Sequence, residues 1–490
     1  MTALLAALPL AVILLAMGVL RLSAAKAGLI GLIVAVGLGV TLFDLSAAPV
    51  ALLSGISAEA IFTTGTILWI IFPALALYEF QSRTGAIDHI RDALSHLTEN
   101  RRLQAILIAW FFGLFIEGAA GFGTPVALAA PLLVGLGYPP VQAVVLALLG
   151  HAAGVSFGAI GTPTITQVEL SGLDAVRLAG TVASLHAALG TMLLVATVRL
   201  AGEGPLTRTD WSWILRAALA FFIPFLLLAW LVGPELPSLG GGLFGAIAVI
   251  FIITRGKKST GLDLRLLLRD LAPYLIILAL VLTSRLAAPL KEMLLAPTLG
   301  WQWQGQFAGK FQPLYHPGTL LLLGLVAAAL LTGRASALAP SLGAALRKLG
   351  GVALALLAML ALSRVMVHSG MIDRLAEAAA GLGSVWPLLA PALGVLGTFI
   401  TGSATASNIL FTELQLSTAA ALGLGATKMV AAQGFGAAIG NVIAPHNIIA
   451  GSATVGLVGR EGDILRKTFW IGIGYAFLGG VLIFALTLTG

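Results

Sequence analysis

Long apolar runs separated by short polar connections recur along the whole chain. Each run is close to the roughly 20 residues that a helix needs to cross a bilayer. Twelve runs predict crossing helices, at about 3–21, 27–43, 60–80, 141–160, 177–198, 211–233, 240–254, 272–290, 318–333, 349–371, 427–458 and 468–489. The first run has no basic leader and is followed directly by another, so it is interpreted as a span rather than a cleaved signal peptide.

Two further apolar stretches, 103–137 and 385–422, are interrupted by small residues and resemble each other. FIEGAAGFGTP from Phe115 matches FITGSATASN from Phe399, and GAIGTP from Gly158 matches AAIGNVIAP from Ala437. Such interrupted segments at corresponding places of two halves indicate an inverted repeat around a transporter binding site near the bilayer midplane. Each stretch is predicted to be a re-entrant helical hairpin.

The composition supports this membrane interpretation. Of the 490 residues, 59% are hydrophobic and 10% are charged, against roughly 45–50% and 25% in soluble proteins. The prediction is an all-α polytopic membrane protein with about twelve transmembrane helices and two re-entrant hairpins. The protein is expected to form a single membrane transport domain, 1–490. Its two halves, about 1–200 and 270–490, are linked by the spans within 211–254. With no cysteine in the chain, disulfides and iron–sulfur clusters are excluded.

The positive charges predict the orientation. Alternate connections hold 20 of the 27 Lys and Arg residues, including Lys257 and Lys258. Because cytoplasmic loops are enriched in Lys and Arg, these connections are expected inside and both termini outside the cytoplasm. The same rule explains the net charge of +7, so no nucleic-acid partner is implied.

The two hairpin tips carry groups suited to a small anion. Glycines and a break in the helix bring free backbone N–H groups close to a ligand, and a helix N-terminus favours a carboxylate. The predicted substrate-binding set from the tips is Gly121, Gly123, Thr124, Ser403, Thr405, Ser407 and Asn408. For any single glycine, close packing of helices is the alternative explanation.

Several ionisable side chains lie inside apolar runs, where they are costly and often functional. Glu117 is predicted to carry the proton of a symport, and a carboxylate that caps backbone N–H groups is the alternative. His151 and His446 follow the two hairpins at corresponding places and are added to the substrate-binding set, although either could be a packing histidine. Arg364 could pair with a substrate carboxylate or extend to the outer surface.

Other chemistry finds no support in the sequence. No metal-ligand spacing, nucleophile elbow, Walker A or GxGxxG motif occurs, so no metal, cofactor or enzyme activity is predicted, and the coupling ion is expected to be H⁺. Sodium coupling is a rival, because hairpin carbonyls and Ser, Thr and Asn oxygens can bind Na⁺. An anion channel is a rival of another class. The lipid bilayer is an implied partner, and a homo-oligomer is left open.

Five strings in the chain resemble the L-lactate permease family. They are FIEGAAGFGTPVALAAPLLVGLGYPP, SFGAIGTP, GPELP from Gly233, FITGSATASNILF and VGLVGREGDILR, and the likeness covers about residues 75–470. The resemblance implies proton-coupled uptake of short 2-hydroxy monocarboxylates, such as L-lactate, D-lactate and glycolate, across the bacterial inner membrane. It also implies kinship with the broader ion-transporter superfamily.

This chain departs from the family pattern at three places. Ala404 stands where better-known members carry an acid, His151 stands where an Asn is typical, and APHN from Ala444 replaces a motif like SPQS. The missing acid puts the substrate and the coupling into question, because the histidines or Glu117 alone would have to serve the proton. Rocking and elevator movements are both compatible with the repeat.

Overall fold

A computed structural model describes residues 2–95, 97–255, 263–304, 306–457 and 459–488, without the side chains of 46 and 47. Lys257, Lys258 and the last residue of the predicted run 468–489 lie outside the described residues. Within them the regular secondary structure is helical apart from one two-stranded sheet. The all-α membrane class predicted from the apolar runs is confirmed.

The first part of the chain forms eleven α-helices, interrupted by short 3₁₀ segments and one π-helix, Ile106–Phe112. Proline and glycine mark most of the breaks, because neither continues a helix well. The helices are α1 (Thr2–Gly18), α2 (Ala24–Leu42), α3 (Pro49–Arg83), α4 (Ala86–Ser95), α5 (Arg101–Ala105), α6 (Gly113–Ala119), α7 (Thr124–Gly135), α8 (Pro140–His151), α9 (Gly158–Ser171), α10 (Ala175–Leu189) and α11 (Thr191–Ala201).

A middle segment connects the two parts. Its helices are α12 (Arg208–Leu231), α13 (Pro237–Thr254), α14 (Leu264–Leu286), α15 (Ala288–Leu295) and α16 (Pro317–Leu331). Between α15 and α16, the antiparallel strands β1 (Leu299–Trp303) and β2 (Phe307–Phe311) pair with Trp301 opposite Gly309.

The last part repeats the order of the first. It contains α17 (Leu338–His368), α18 (Met371–Ala380), α19 (Trp386–Thr401), α20 (Ala404–Ala421), α21 (Ala426–Ile443), α22 (Pro445–Thr454) and α23 (Glu461–Leu488). In both parts a long helix precedes a helix–turn–helix pair, a broken helix and a further helical stretch. The first pair is the arm 101–119 with α7, and the second pair is α19 with α20.

Ten helical stretches of the described residues are long and apolar enough to cross a membrane, or eleven if α10 and α11, which meet at 42°, form one bent span. Two of the ten, Arg101–Ala119 and Gly383–Thr401, belong to the stretches predicted as hairpins. Two predicted spans correspond to the shorter helices α1 and α16. The predicted run 427–458 is divided between α21 and α22 at Pro445, so the count of twelve crossings and the re-entrant hairpins stay predictions.

The two parts pack together in a reciprocal way. The arm α7 of the first pair contacts α22 of the last part, and α20 of the second pair contacts α9 of the first part. Within each part, glycine allows the broken helix to approach the first arm of its own pair. A Cβ at Gly150 would lie 2.1 Å from the carbonyl oxygen of Ala109, and one at Gly436 would lie 1.9 Å from that of Pro391. Small residues serve such close approaches in membrane helices.

Candidate functional site

The two turns and the two broken helices meet at one cavity of about 450 Å³, here called the central cavity. Helices α2, α3 and α17 complete its wall. The residues that line it are Ser23, Ala24, Ala25, Ile71, Glu117, Gly121, Phe122, Gly123, Val155, Gly158, Ala159, Thr162, Pro163, Gly351, Val352, Ala355, Leu356, Met359, Thr401, Gly402, Ser403, Ala404, Thr405, Ala406, Asn441, His446 and Asn447.

The turn of the first pair is held in a conformation that glycine favours. Gly121, Phe122 and Gly123 have φ values of 57°, 51° and 78°. The helix α7 begins directly afterwards, with Pro125 in its first turn and no side chain capping its N-terminus. An uncapped N-terminus leaves backbone N–H groups and a partial positive charge for an anionic partner.

The turn of the second pair carries the hydroxyl groups. Ser403 caps α20, because its Oγ accepts a hydrogen bond from the backbone N–H of Ala406 at 3.3 Å. Thr401 Oγ1 donates to the carbonyl oxygen of Gly397 at 2.7 Å. Thr405 also lines the cavity, and its hydroxyl has no hydrogen bond to the described part of the chain. Its hydroxyl is therefore available to a ligand.

Glu117 lies at the wall between the first turn and the break in α9. The residue is 3% exposed, and its Oε2 has no hydrogen-bond partner among the described residues. The nearest ionisable neighbour is His151, whose Nε2 is 3.9 Å from Oε2. No Lys or Arg of the described ranges forms an ion pair with Glu117. This carboxyl group can therefore bind and release a proton without breaking a strong ion pair.

Both broken helices present polar groups to the cavity. In α9, Ala159, Ile160 and Gly161 take consecutive left-handed conformations, and Thr162 follows them. Between α21 and α22, Asn447 Nδ2 donates to Asn441 Oδ1. His446 is exposed and lines the cavity. Irregular backbone at membrane depth is tolerated where it lines a cavity.

The structure brings part of the predicted site together. Glu117 and five of the ten predicted substrate-binding residues line the central cavity, namely Gly121, Gly123, Ser403, Thr405 and His446. Thr124 begins α7 beside the cavity without lining it. His151 donates its Nδ1–H to the carbonyl oxygen of Ala147 at 2.6 Å, and it reaches the site only through Glu117. Their functional roles stay predictions.

Ser407 and Asn408 do not line the central cavity, and their side chains form hydrogen bonds to neighbouring helices. Ser407 Oγ donates to the carbonyl oxygen of Gly394 at 2.9 Å. Asn408 Nδ2 donates to the carbonyl oxygen of Pro163 at 3.0 Å and so joins α20 to α9. In this structure both side chains support the wall rather than face a ligand.

Arg364 lies outside the central cavity, in an ionic cluster where Arg364 and Glu413 are buried and Glu59 and His368 are half-buried. Its Nη1 donates to Glu413 Oε1 at 2.9 Å, and its Nε is 3.4 Å from Glu59 Oε1. His368 Nε2 lies 3.0 Å from Glu59 Oε2. The positive charge is thus taken up by two protein carboxylates. The structure supports neither a free guanidinium for substrate nor extension to the surface.

Sequence reasoning left several cavity residues without a role. Thr162, Asn441 and Asn447 lie at breaks that the sequence marks with proline, and that signal could have assigned them. Ser23 and Met359 come from helices that carry no motif, and no pattern in the sequence points to them. Ala404, where the family pattern has an acid, lines the cavity. The substitution therefore changes the cavity wall itself.

A helical bundle with broken helices and paired turns around a buried cavity defines a multi-pass membrane transporter. Over 96% of this chain and 96% of the other, the fold resembles the structure of MtrF from Neisseria gonorrhoeae, described with a class of antimetabolite efflux pumps, with a TM-score of 0.53 at 14% identity. That likeness concerns the fold alone.

The family follows from the sequence comparisons. The L-lactate permease family matches residues 2–263 and 270–489, so the chain belongs to that family. It is 33% identical to the L-lactate permease of Streptococcus iniae, covering 85% of this chain and 90% of the relative. It is 29% identical to the glycolate permease GlcA of Escherichia coli strain K12, covering 98% and 95%. The resemblance seen in the sequence motifs is confirmed.

Proposed function

We propose that this protein is a secondary active transporter that takes up short 2-hydroxy monocarboxylates, such as L-lactate, D-lactate and glycolate, together with protons. Transport proceeds by alternating access across the bacterial inner membrane, with both termini outside the cytoplasm. The names of the relatives support the substrate class, since they are lactate and glycolate permeases. The central cavity supports the site of binding.

The lining of the central cavity suits a small hydroxy acid. Hydroxyl groups of Thr405 and Ser403, the amides at the start of α7, and His446 can hold a carboxylate and a hydroxyl group. No Lys or Arg is among the described residues that line the cavity. Binding would therefore depend on hydrogen bonds and helix termini rather than on a fixed cation.

Proton coupling is supported by one observation above all. Glu117 is the one acidic side chain among the described residues that line the cavity, and nothing there neutralises it. An ionised carboxylate and a substrate anion in one buried cavity repel each other strongly, because the effective dielectric constant is low. A proton on Glu117 removes this repulsion, so anion and proton are expected to bind together.

The test is uptake of radiolabelled L-lactate into proteoliposomes that hold the full-length protein. An inward proton gradient should drive accumulation, and a protonophore should abolish it. Glu117→Gln should lose gradient-driven accumulation but keep exchange of lactate for lactate. Glu292→Gln, which removes an exposed acid outside the central cavity, is the matched control for accumulation and should retain it.

Further arms of the same experiment separate the rivals. Sodium-dependent accumulation at fixed pH would indicate that the coupling ion is Na⁺ rather than the proton. Flux that never exceeds equilibrium would indicate an anion channel. Product analysis that finds chemically altered lactate would indicate an enzyme. A folded protein that transports no 2-hydroxy acid would overturn the proposed substrate class.

A further inference from the structure

A second cavity, lined by both polar and apolar residues, lies near the break in α9 but apart from the central cavity. Its volume is about 270 Å³, just below the roughly 300–1,000 Å³ typical of sites for drug-sized ligands. Its polar lining comes from α9, from the connection between α12 and α13, from α14 and from the segment after β1. The acidic, basic and histidine side chains of this lining are Glu169, Glu235, Arg285, Lys310 and His316.

Glu235 offers this cavity a buried hydrogen-bond acceptor. Glu235 is 5% exposed, and its Oε1 accepts a hydrogen bond from Arg285 Nη2 at 2.6 Å. Arg285 is fixed further, because Nη1 donates to the carbonyl oxygen of Tyr315 at 3.1 Å and its Cζ lies 3.7 Å from the centroid of the Tyr315 ring. The other oxygen, Glu235 Oε2, has no partner among the described residues. A buried acceptor without a donor is costly.

His316 offers the same cavity a buried donor. Its Nδ1 accepts a hydrogen bond from the backbone N–H of Gly318 at 3.2 Å, so the proton of the neutral ring is on Nε2. Burial, and secondly the positive charge of Arg285, lower the pKa of His316 to about 4, which keeps the ring neutral near pH 7. His316 is buried, with 8% of the residue exposed, and its Nε2–H group has no partner among the described residues.

The charged side chains at the cavity sum to zero, because Glu169 and Glu235 balance Lys310 and Arg285. Glu235 and Arg285 neutralise each other within the wall. Lys310 and Glu169 are exposed, and Lys310 makes no ion pair with any described residue. An anion that entered would meet a free ammonium group and the His316 donor, while a hydroxyl group on the same molecule could donate to Glu235 Oε2.

Helix α9 lines both cavities. The start of α9 lines the central cavity at Thr162, and the following turns line the second cavity at Ile165 and Glu169. At the boundary, a Cβ on Gly161 would lie 2.3 Å from the carbonyl oxygen of Pro234. Pro234 and Glu235 of the GPELP string from Gly233, which the central site does not use, thus line the second cavity. By the predicted topology, Lys310 lies on the outer side.

We propose that the second cavity binds a short 2-hydroxy monocarboxylate before it passes to the central cavity. The carboxylate accepts from His316 Nε2 and lies near Lys310, and the 2-hydroxyl group donates to Glu235 Oε2. Two unpartnered groups of opposite hydrogen-bonding character thereby gain the partners that a hydroxy acid supplies. The choice of ligand class rests on the proposed function.

The test is protection of Lys310 from an amine-acylating reagent added to the outside of proteoliposomes with the full-length protein. Lys291, an exposed lysine that does not line the cavity, is the internal reference. At about twice its Kd, L-lactate should slow acylation of Lys310 roughly threefold by mass action and leave Lys291 unchanged. Propionate, which lacks the hydroxyl group, should need a concentration roughly tenfold higher or more.

Two variants identify the groups responsible. In His316→Asn the amide oxygen can still cap Gly318 N–H, so the fold is expected to be kept while the Nε2 donor is lost. Protection of Lys310 should then require roughly tenfold more L-lactate. In Lys291→Gln, L-lactate should protect Lys310 as it does in the wild type. Equal protection in wild type and His316→Asn would overturn the assignment of His316.

The outcomes distinguish this site from the transport proposal. Lactate accumulation without any protection of Lys310 rejects the second site, whose cavity then holds water only, and leaves the transport proposal standing. Protection of Lys310 without accumulation supports the site and rejects the transport proposal. Protection by propionate and L-lactate at equal concentration rejects the recognition of the hydroxyl group by Glu235.

Discussion

The carboxylate of Glu117 packs directly against the backbone of Gly158. A Cβ at Gly158 would lie 2.0 Å from Glu117 Oε1 and 3.0 Å from its carboxyl carbon. Gly158 has φ −64° and ψ 155°, which any residue can adopt. Glycine is needed here because a side chain would occupy the space of the Glu117 carboxyl group, not because of the backbone conformation. The helix break of α9 thus holds the buried acid in place.

Gly158→Ala is therefore expected to displace the Glu117 carboxyl group. Overpacking of this kind costs about 1–3 kcal/mol, and lactate uptake should fall roughly tenfold or more at unchanged protein level. Gly65→Ala is the matched control, because a Cβ at Gly65 in α3 meets no atom within 4 Å. Uptake by Gly158→Ala at the wild-type rate would show that the position of Glu117 is not critical.

The free hydroxyl group of Thr405 is expected to bind substrate. Thr405→Val keeps the shape and removes the donor, so KM for L-lactate should rise roughly two- to tenfold, corresponding to about 0.5–1.5 kcal/mol. Initial rates of uptake over a range of lactate concentrations measure the effect. Thr412→Val, on the same helix but outside the central cavity, should leave KM unchanged. A wild-type KM in Thr405→Val would remove this residue from the site.

Arg364 is expected to be structural. Arg364→Met leaves Glu413 buried without its cation, and removing one partner of a buried ion pair costs about 3–5 kcal/mol. The melting temperature in detergent should fall clearly, and Arg364→Met with Glu413→Met should recover part of the loss. A variant Arg364→Met of normal melting temperature with a strongly raised KM would instead place Arg364 at the substrate.

The predicted orientation can be tested by cysteine labelling, because the natural chain contains no cysteine. Gln302 in β1 and Glu99 before α5 are both exposed and lie on connections of opposite predicted side. Gln302→Cys should react with a membrane-impermeant maleimide in intact cells, and Glu99→Cys should react only after the cells are opened. The reverse pattern would invert the orientation and place both termini in the cytoplasm.

The sequence alone determined the class of protein and the most informative part of the site. Apolar runs of membrane length require helices, because backbone groups in lipid must be satisfied within the segment. Glycine and proline at 118–125 and at 402 mark turns, since the chain must leave the helical conformation there. Glu117 was found because a carboxyl group in such a run is rare. These are local properties.

Tertiary structure decided which polar groups share a space. Arg364 and Glu413 are far apart in the chain, and only the packing of α17 on α20 makes them partners. Ser407 lies on the same helix as Thr405, yet it faces α19 while Thr405 faces the cavity. Helical periodicity gives the spacing of faces, whereas the neighbour that each face meets depends on all the other helices. For the same reason Glu235 and His316 were joined in a second cavity that no motif revealed.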